Sequence, residues 1–341
     1  MPIATPDQYA AMLDKAKSQG FAYPAFNVSS SQTINAVLQG LTEAGSDGII
    51  QVTTGGADYF AGQSVTARAS GALAFAAFAT EAAKNYPVTV ALHTDHCPKD
   101  ALDGFVMPLI EASERQVKAG GNPIFQSHMW DGSSVPLTEN LEIAMTLLPR
   151  MKAINAILEV EIGVVGGEED GASHAINEHL YTTVEDGIQT VEALGLGENG
   201  RYLAALTFGN VHGVYAPGNV KLKPELLEEI QAGIAKKFGT GPNPLDLVFH
   251  GGSGSSDEEI ATAVRNGVIK MNVDTDTQYA FTRAITDYML KNYDGVLKVD
   301  GGVGNKKLYD PRAWGKVAES AMAQRVVQAT QQLGSAGKSN S

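Results

Sequence analysis

The sequence has 341 residues, is 43% hydrophobic and only 18% charged, and can bury one large core; its 37 glycines suit a fold with many tight connections. A formal charge of −13 with scattered basic residues argues against nucleic-acid or anionic-membrane partners, and no apolar run reaches the roughly eighteen residues of a membrane span. The opening "MPIATPDQYAAML" lacks a signal peptide's basic start and apolar stretch, so a cytoplasmic location is expected, and the lone Cys97 leaves any metal to His and carboxylate ligands.

Taken in chain order, a helix is predicted near 6 to 19, followed by eight short runs rich in Val, Ile, Leu and Phe at 22–28, 48–53, 87–93, 123–130, 155–163, 202–208, 245–251 and 268–274. Stretches of helical period separate them, near 31–45, 64–85, 99–119, 137–153, 183–194, 224–238, 257–266 and 276–292. Eight strand-then-helix units predict a TIM (β/α)8 barrel, a fold of about 250 residues. The surplus length goes to the leading helix, a long segment "VVGGEEDGASHAINEHLYTT" after the fifth strand, and a helical C-terminal extension from about 295. Residues 334–341, "GSAGKSNS", read as a disordered tail. No Pro- or Ser-rich linker divides the chain, so residues 1–341 are expected to form one domain.

Barrel enzymes keep their chemistry at the C-terminal strand ends. Those ends carry Asn27, Thr53, His93, Asp95, His96, His128, Asp131, Glu159, Glu161, Asn210, His212, His250, Asn272 and Asp274, including five of the seven histidines. Three histidines from different strands with one position left open suit a catalytic divalent metal such as zinc. His96, His212 and His250 fit best, because each lies just past a strand beside turn-forming residues. His93 and His128, one step further into their strands, suit the support of a ligand by hydrogen bonding. Asp131 and Glu161 read equally as ligands of a second metal position and as hydrogen-bond acceptors in the barrel mouth.

After the seventh strand, "HGGSGSSDEEI" places Gly251, Gly252, Ser253 and Gly254 before a helix start at Ser256 or Asp257, which suits an anion-binding turn where barrels commonly hold phosphate. The segment "EIGVVGGEEDG" has the composition of a lid; its adjacent carboxylates raise one another's proton affinity, so one suits the role of general base. A metal, a phosphate site, an acid and a base together point to proton abstraction beside a polarised carbonyl. A Schiff-base route through Lys270 fits less well, because Lys270 lies well inside its strand and would leave the histidine set without a purpose.

The stretches "ALHTDHCPKD", "QSHMWDGSSVP", "LEVEIGVVGGEEDG", "FGNVHGVYAPGNVKL", "FHGGSGS", "VIKMNVDTDTQYAFT" and "YDPRAW" run from residue 91 to 314. Through them, and through "DGIIQVTTGGA" nearer the start, the sequence resembles the class II, metal-dependent fructose-bisphosphate aldolases along nearly its whole length, in the larger subgroup with a "GGEEDG" lid. The resemblance implies reversible cleavage of fructose 1,6-bisphosphate to dihydroxyacetone phosphate and glyceraldehyde 3-phosphate in glycolysis and gluconeogenesis, with tagatose-bisphosphate aldolase or another zinc aldolase of the family as the alternative. It implies a catalytic zinc on His96, His212 and His250, a second divalent position at Asp131 and Glu161, and a nearby Na+ or K+. It makes Asp95 the acid at the aldehyde oxygen and Glu169 the base at C1. Gly213, Gly251, Gly252, Ser253, Asn272, Val273, Asp274 and Thr275 would surround dihydroxyacetone phosphate. Thr53, where many members have Ser, would contact the other triose, and Arg312 would reach the distal phosphate of a neighbouring subunit, which implies a homo-oligomer, dimer or tetramer.

Overall fold

All eight predicted strands form, and they close on one another. The computed structural model describes residues 2–169, 172–174, 181–212 and 222–340. Strands β1 (Tyr23–Asn27), β2 (Gly48–Val52), β3 (Val90–Thr94), β4 (Ser127–Trp130), β5 (Ile157–Ile162), β8 (Tyr202–Leu206), β10 (Leu247–Phe249) and β11 (Val268–Val273) make a closed parallel barrel in that order, with β11 paired to β1. β6 (Gly166–Glu169), β7 (Ala172–His174) and β9 (Val211–His212) form a small separate sheet.

Helices α1 (Pro6–Gln19), α2 (Ser31–Ala44), α3 (Thr54–Ala61), α4 (Arg68–Ala83), α5 (Val106–Lys118), α6 (Leu137–Ala153), α7 (Val184–Leu194), α8 (Glu225–Phe238), α9 (Asp257–Arg265) and α10 (Thr275–Lys291) alternate with the strands. The C-terminal extension adds α11 (Tyr293–Leu297), α12 (Lys306–Tyr309) and α13 (Pro311–Gln332). Their starts are written in the sequence: Thr5 with Gln8, Ser30 with Thr33, Thr183 with Asp186 and Ser256 with Glu259 each close a reciprocal cap. α13 lies against α2 and α10, and the missing side chain of Gly40 makes that approach possible, since a Cβ there would sit 2.5 Å from the Ala323 carbonyl.

The barrel interior is divided by height. Tyr9, Met12, Leu13 and Ala16 of α1 pack with Tyr23, Ile49, Ala91, Ile157 and Leu203, residues at or next to the first position of their strands, so α1 plugs the N-terminal end with apolar surface. Above that floor the buried side chains become polar: Gln51, His93, Ser127, Glu159, Glu161, Lys270 and Asn272. A barrel normally fills its interior with branched aliphatics. A polar upper half instead marks the end at which the chemistry is done.

Three expectations need correction. The predicted helix at 64–85 is α4, which begins only at Arg68, and a helix not predicted, α3, precedes it, started by Thr53, which accepts from the Gly56 amide at 3.0 Å. The region from 99 begins as a 3-10 turn, Lys99–Gly104, before α5. The tail expected to be disordered is docked: Gly337 and Ser339 amides bond to the Ala44 and Gly45 carbonyls, and the Asn340 amide reaches Asp47 Oδ2 at 2.8 Å. Small residues let this segment approach the carbonyls left open at the end of α2, so its composition serves close contact rather than disorder.

Candidate active site

β3 leaves the barrel through Asp95, whose amide bonds to the Val52 carbonyl at 2.9 Å, and His96 follows at φ +30. A histidine in the left-handed region is strained, and strain of this kind collects where function demands a geometry. The next strand end is tied to the same turn, since the Asp131 amide donates to the Cys97 carbonyl at 3.0 Å. Cys97 itself is buried, which pushes its thiol up to about 12, so it has no thiolate to offer as nucleophile or ligand.

Around His96 the predicted metal residues converge. Its Nδ1 lies 2.9 Å from Asp131 Oδ2 and 3.5 Å from Glu161 Oε2. His250 Nδ1 lies 3.6 Å from that same Glu161 oxygen, and the two imidazole rings are 4.8 Å apart between centres. Within two triads, His96 with Asp131 and Glu161, and Asp95 with His96 and His250, the ligand atoms all lie within 4.8 Å of one another. Glu161 Oε2 is buried and receives no hydrogen bond among the described residues, although two imidazoles face it. Nitrogen and carboxylate donors around such an oxygen fit a divalent cation of intermediate softness.

Charge explains the protonation of these groups. Burial raises Asp131, but the hydrogen bond and charge of His96 and the bonds from Ser133 hold it well below the usual carboxylate range. Burial opposes a charge on His250, yet the hydrogen bond to Glu159 and the nearby Glu161 carboxylate outweigh it and draw the ring up to about 9. His93 stays neutral, pushed down to about 3 by burial and by the Lys270 charge.

Beneath these candidate ligands lies a fully buried network. Glu159 Oε1 meets His250 Nε2 at 2.8 Å, Lys270 Nζ lies 2.8 Å from Glu159 Oε2, and His93 Nε2 is 3.6 Å from that oxygen. His93 Nδ1 is bonded to Ser127 Oγ at 2.8 Å, which reaches Tyr9 on α1. Asp95 is held separately: Asn27 Nδ2 and Gln51 Nε2 each donate to its Oδ2 at 2.9 Å, and Asn272 Nδ2 donates to its Oδ1 at 2.9 Å. Burial raises Asp95, and the charges of His96, Lys270 and His250 outweigh it, so the carboxylate is ionised.

The structure brings His96, His250, Asp131, Glu161 and Asp95 together, with Asn272 against them. Gly251, at φ +60, is required there: a Cβ would lie 2.7 Å from the Val211 backbone, and the Asn210 side chain donates to the His250 carbonyl at 2.9 Å, so the turns that carry His212 and His250 are clamped together. The capping box of α9 engages Glu259 with the Ser256 amide, so an anion site at this place falls on the 251–255 turn rather than on the helix start. Thr53, Asn27, Ser29 and Asp274 line a cavity of about 220 Å³ beside Asp95. Thr275 begins α10 directly after Val273 and Asp274. Arg312 is 84% exposed and paired with Asp310 at 2.6 Å, outside this cluster. The side chains of Glu169 and His212, and the whole of Gly213, lie outside the described residues.

His128 does not support the site. Register pairs it with the outward-facing Thr94, to which it bonds at 2.8 Å, and its ring packs on Phe125. Sequence reasoning missed Gln51 and the joint role of Glu159 and Lys270; the signal available was a polar residue inside each of three apolar runs, "GIIQV", "ILEVEI" and "VIKMNV".

A barrel whose mouth gathers imidazoles and carboxylates around one open oxygen defines an enzyme of the metal-dependent TIM-barrel kind. Residues 7–338 match the family described as "Fructose-bisphosphate aldolase class-II". The chain is 65% identical over 340 residues to the fructose-bisphosphate aldolase of Streptomyces coelicolor, covering 99% of each, and 60% identical over 343 residues to that of Corynebacterium glutamicum, covering 100% of each. The crystal structure of fructose-bisphosphate aldolase from Campylobacter jejuni aligns with a TM-score of 0.87 at 39% identity, covering 98% of this chain and 97% of that one. The chain belongs to the class II fructose-bisphosphate aldolase family, and is a metal-dependent carbon–carbon lyase of phosphorylated sugars. No helix among the described residues is long and apolar enough to cross a membrane.

Proposed function

We propose that this single-domain chain cleaves fructose 1,6-bisphosphate reversibly to dihydroxyacetone phosphate and glyceraldehyde 3-phosphate, in cytoplasmic glycolysis and gluconeogenesis, with zinc on His96, His212 and His250. The observation that carries the reading is the convergence of His96, His250, Asp131 and Glu161 directly beside a buried, ionised Asp95. Bound zinc supplies a Lewis acid for the substrate's carbonyl, and Asp131 with Glu161 offers a second divalent position.

The chain's own groups divide the proton transfers. Asp95, ionised and held by three amide donors, takes the proton of the C4 hydroxyl as the C3–C4 bond breaks, and returns it to the aldehyde oxygen in condensation. Glu169 serves C1 of dihydroxyacetone phosphate, protonating it in cleavage and deprotonating it in condensation. Its strand supports the role: β6 runs parallel to β9, with Gly167 in register with His212, so the lid segment is tied to a ligand-bearing strand. Gly213, Gly251, Gly252, Ser253, Asn272, Val273, Asp274 and Thr275 surround dihydroxyacetone phosphate through backbone and side-chain donors, with a monovalent cation, Na+ or K+, close by. Thr53 Oγ accepts one bond from Gly56 and keeps its own proton for the other triose.

Glu169→Ala is expected to keep its zinc while slowing solvent exchange of the C1 proton of dihydroxyacetone phosphate by about 10²-fold or more. Unchanged exchange would move the base to another residue, Glu168 first. Arg312, exposed and paired with Asp310, is assigned to a neighbouring subunit's site in a homo-oligomer, dimer or tetramer. Arg312→Ala should therefore raise KM for fructose 1,6-bisphosphate by roughly tenfold, the worth of about 1.4 kcal/mol of phosphate contact. A chain monomeric by light scattering, with KM unmoved in the variant, would remove this assignment.

A further inference from the structure

We propose that Lys270 is a positioning residue that fixes the zinc ligand His250 and the proton carrier Asp95 relative to each other through one buried ammonium. This rests on the roles given above to His250 and Asp95, and adds a residue to which those roles assign no task.

Lys270 is fully buried on β11 and has two anchors. On one side its Nζ lies 2.8 Å from Glu159 Oε2 and 3.2 Å from Oε1, and Glu159 Oε1 is 2.8 Å from His250 Nε2. On the other side Nζ donates to Asn272 Oδ1 at 2.7 Å, and Asn272 Nδ2 donates to Asp95 Oδ1 at 2.9 Å. One nitrogen thus touches Glu159 and Asn272, and through them it is linked to His250 and Asp95 at the ends of two other strands.

The chemistry of the donor sets the direction of both arms. An ammonium donates and never accepts. Because Lys270 takes the oxygen of Asn272, the amide turns its NH2 toward Asp95, and the acid receives a donor rather than facing an oxygen. Because Lys270 holds Glu159 ionised, the carboxylate accepts from His250 Nε2–H, which leaves Nδ1 as the atom facing Glu161. A neutral group in place of Lys270 would leave the Asn272 amide without an orientation and Glu159 without its counter-charge. The ligand and the acid would then move independently.

The position also answers why a lysine should stand inside a barrel at all. A buried ion pair adds little net stability over apolar packing, and what it supplies is a unique arrangement. Lys270 and Glu159 lie on the polar upper half of the interior, directly under the metal residues, where a fixed arrangement is what catalysis needs.

The test uses the full-length zinc-loaded enzyme and three variants: Lys270→Met; Lys270→Met with Glu159→Gln, which leaves no orphan charge and keeps an amide against His250; and Leu203→Ala, a stability control at the barrel floor. Zinc affinity is read by competition with a chromogenic chelator, and kcat and KM are read on fructose 1,6-bisphosphate. The double variant is expected to fold, to bind zinc about 10- to 100-fold more weakly, and to lose kcat by a similar factor with KM within about threefold. Leu203→Ala is expected to melt earlier with zinc affinity unchanged. Lys270→Met alone should fall at least as far as the double variant, and if it does not fold, the double variant decides. Wild-type zinc affinity and kcat in the double variant would overturn the role of Lys270 while leaving the metal site in place. A wild type that takes up no divalent ion would overturn the metal reading and this inference with it.

Discussion

Asp95→Asn is expected to lower kcat for cleavage of fructose 1,6-bisphosphate by about 10²- to 10⁴-fold, the range of a lost proton carrier, while the bound metal is retained. The carboxylate is buried, ionised, and accepts three amide N–H bonds, so no other group in its cradle can take the C4 proton in its place. Asparagine is nearly the same size but must turn an NH2 group toward either Asn272 or the pair Asn27 and Gln51. One or more donors then lose an acceptor, at about 1 to 3 kcal/mol. A folded, metal-loaded Asn variant separates this stability loss from the catalytic one. Activity within about threefold of wild type in that variant would move the proton to another group.

Removing the metal should have an equally large effect and a second signature. Glu161 Oε2 is buried between two imidazoles without a hydrogen bond among the described residues, and Asp131 relies on His96 for its charge balance. A cation held at roughly 1,000 times its dissociation constant stabilises the folded chain by about 4 kcal/mol, and this is lost with it. Chelation is therefore expected to abolish cleavage and to lower the melting temperature together. Zinc should restore both. Loss of activity with an unmoved melting temperature would mean that the metal binds elsewhere or only with substrate.

Much of this was legible in the sequence, because the barrel is a repeated local pattern: an apolar run followed by a helical stretch, eight times. Strand ends follow from the runs, and the ends carried His96, Asp131, Glu161 and His250. What one dimension could not supply was facing and pairing. His93 and His128 sit alike in the sequence, but the β3–β4 register sets His93 inside with Ser127 and His128 outside with Thr94. Lys270 and Glu159 are 111 residues apart, and only barrel closure joins them. The docked tail was misread for a similar reason: its partners, Ala44, Gly45 and Asp47, lie almost three hundred residues away. Start of α3 was hidden because Gly55 and Gly56 signal a turn unless Thr53 is seen as a cap.

Cleavage of fructose 1,6-bisphosphate by the purified chain, assayed before and after chelator, after zinc is returned, and after borohydride treatment with substrate, tests the central claim most directly. A metal-centred site built on His96, His212 and His250, with Lys270 locked in an ion pair, predicts that chelator abolishes activity, that zinc restores it, and that borohydride leaves it intact. Activity that survives chelator and is lost irreversibly to borohydride would contradict it.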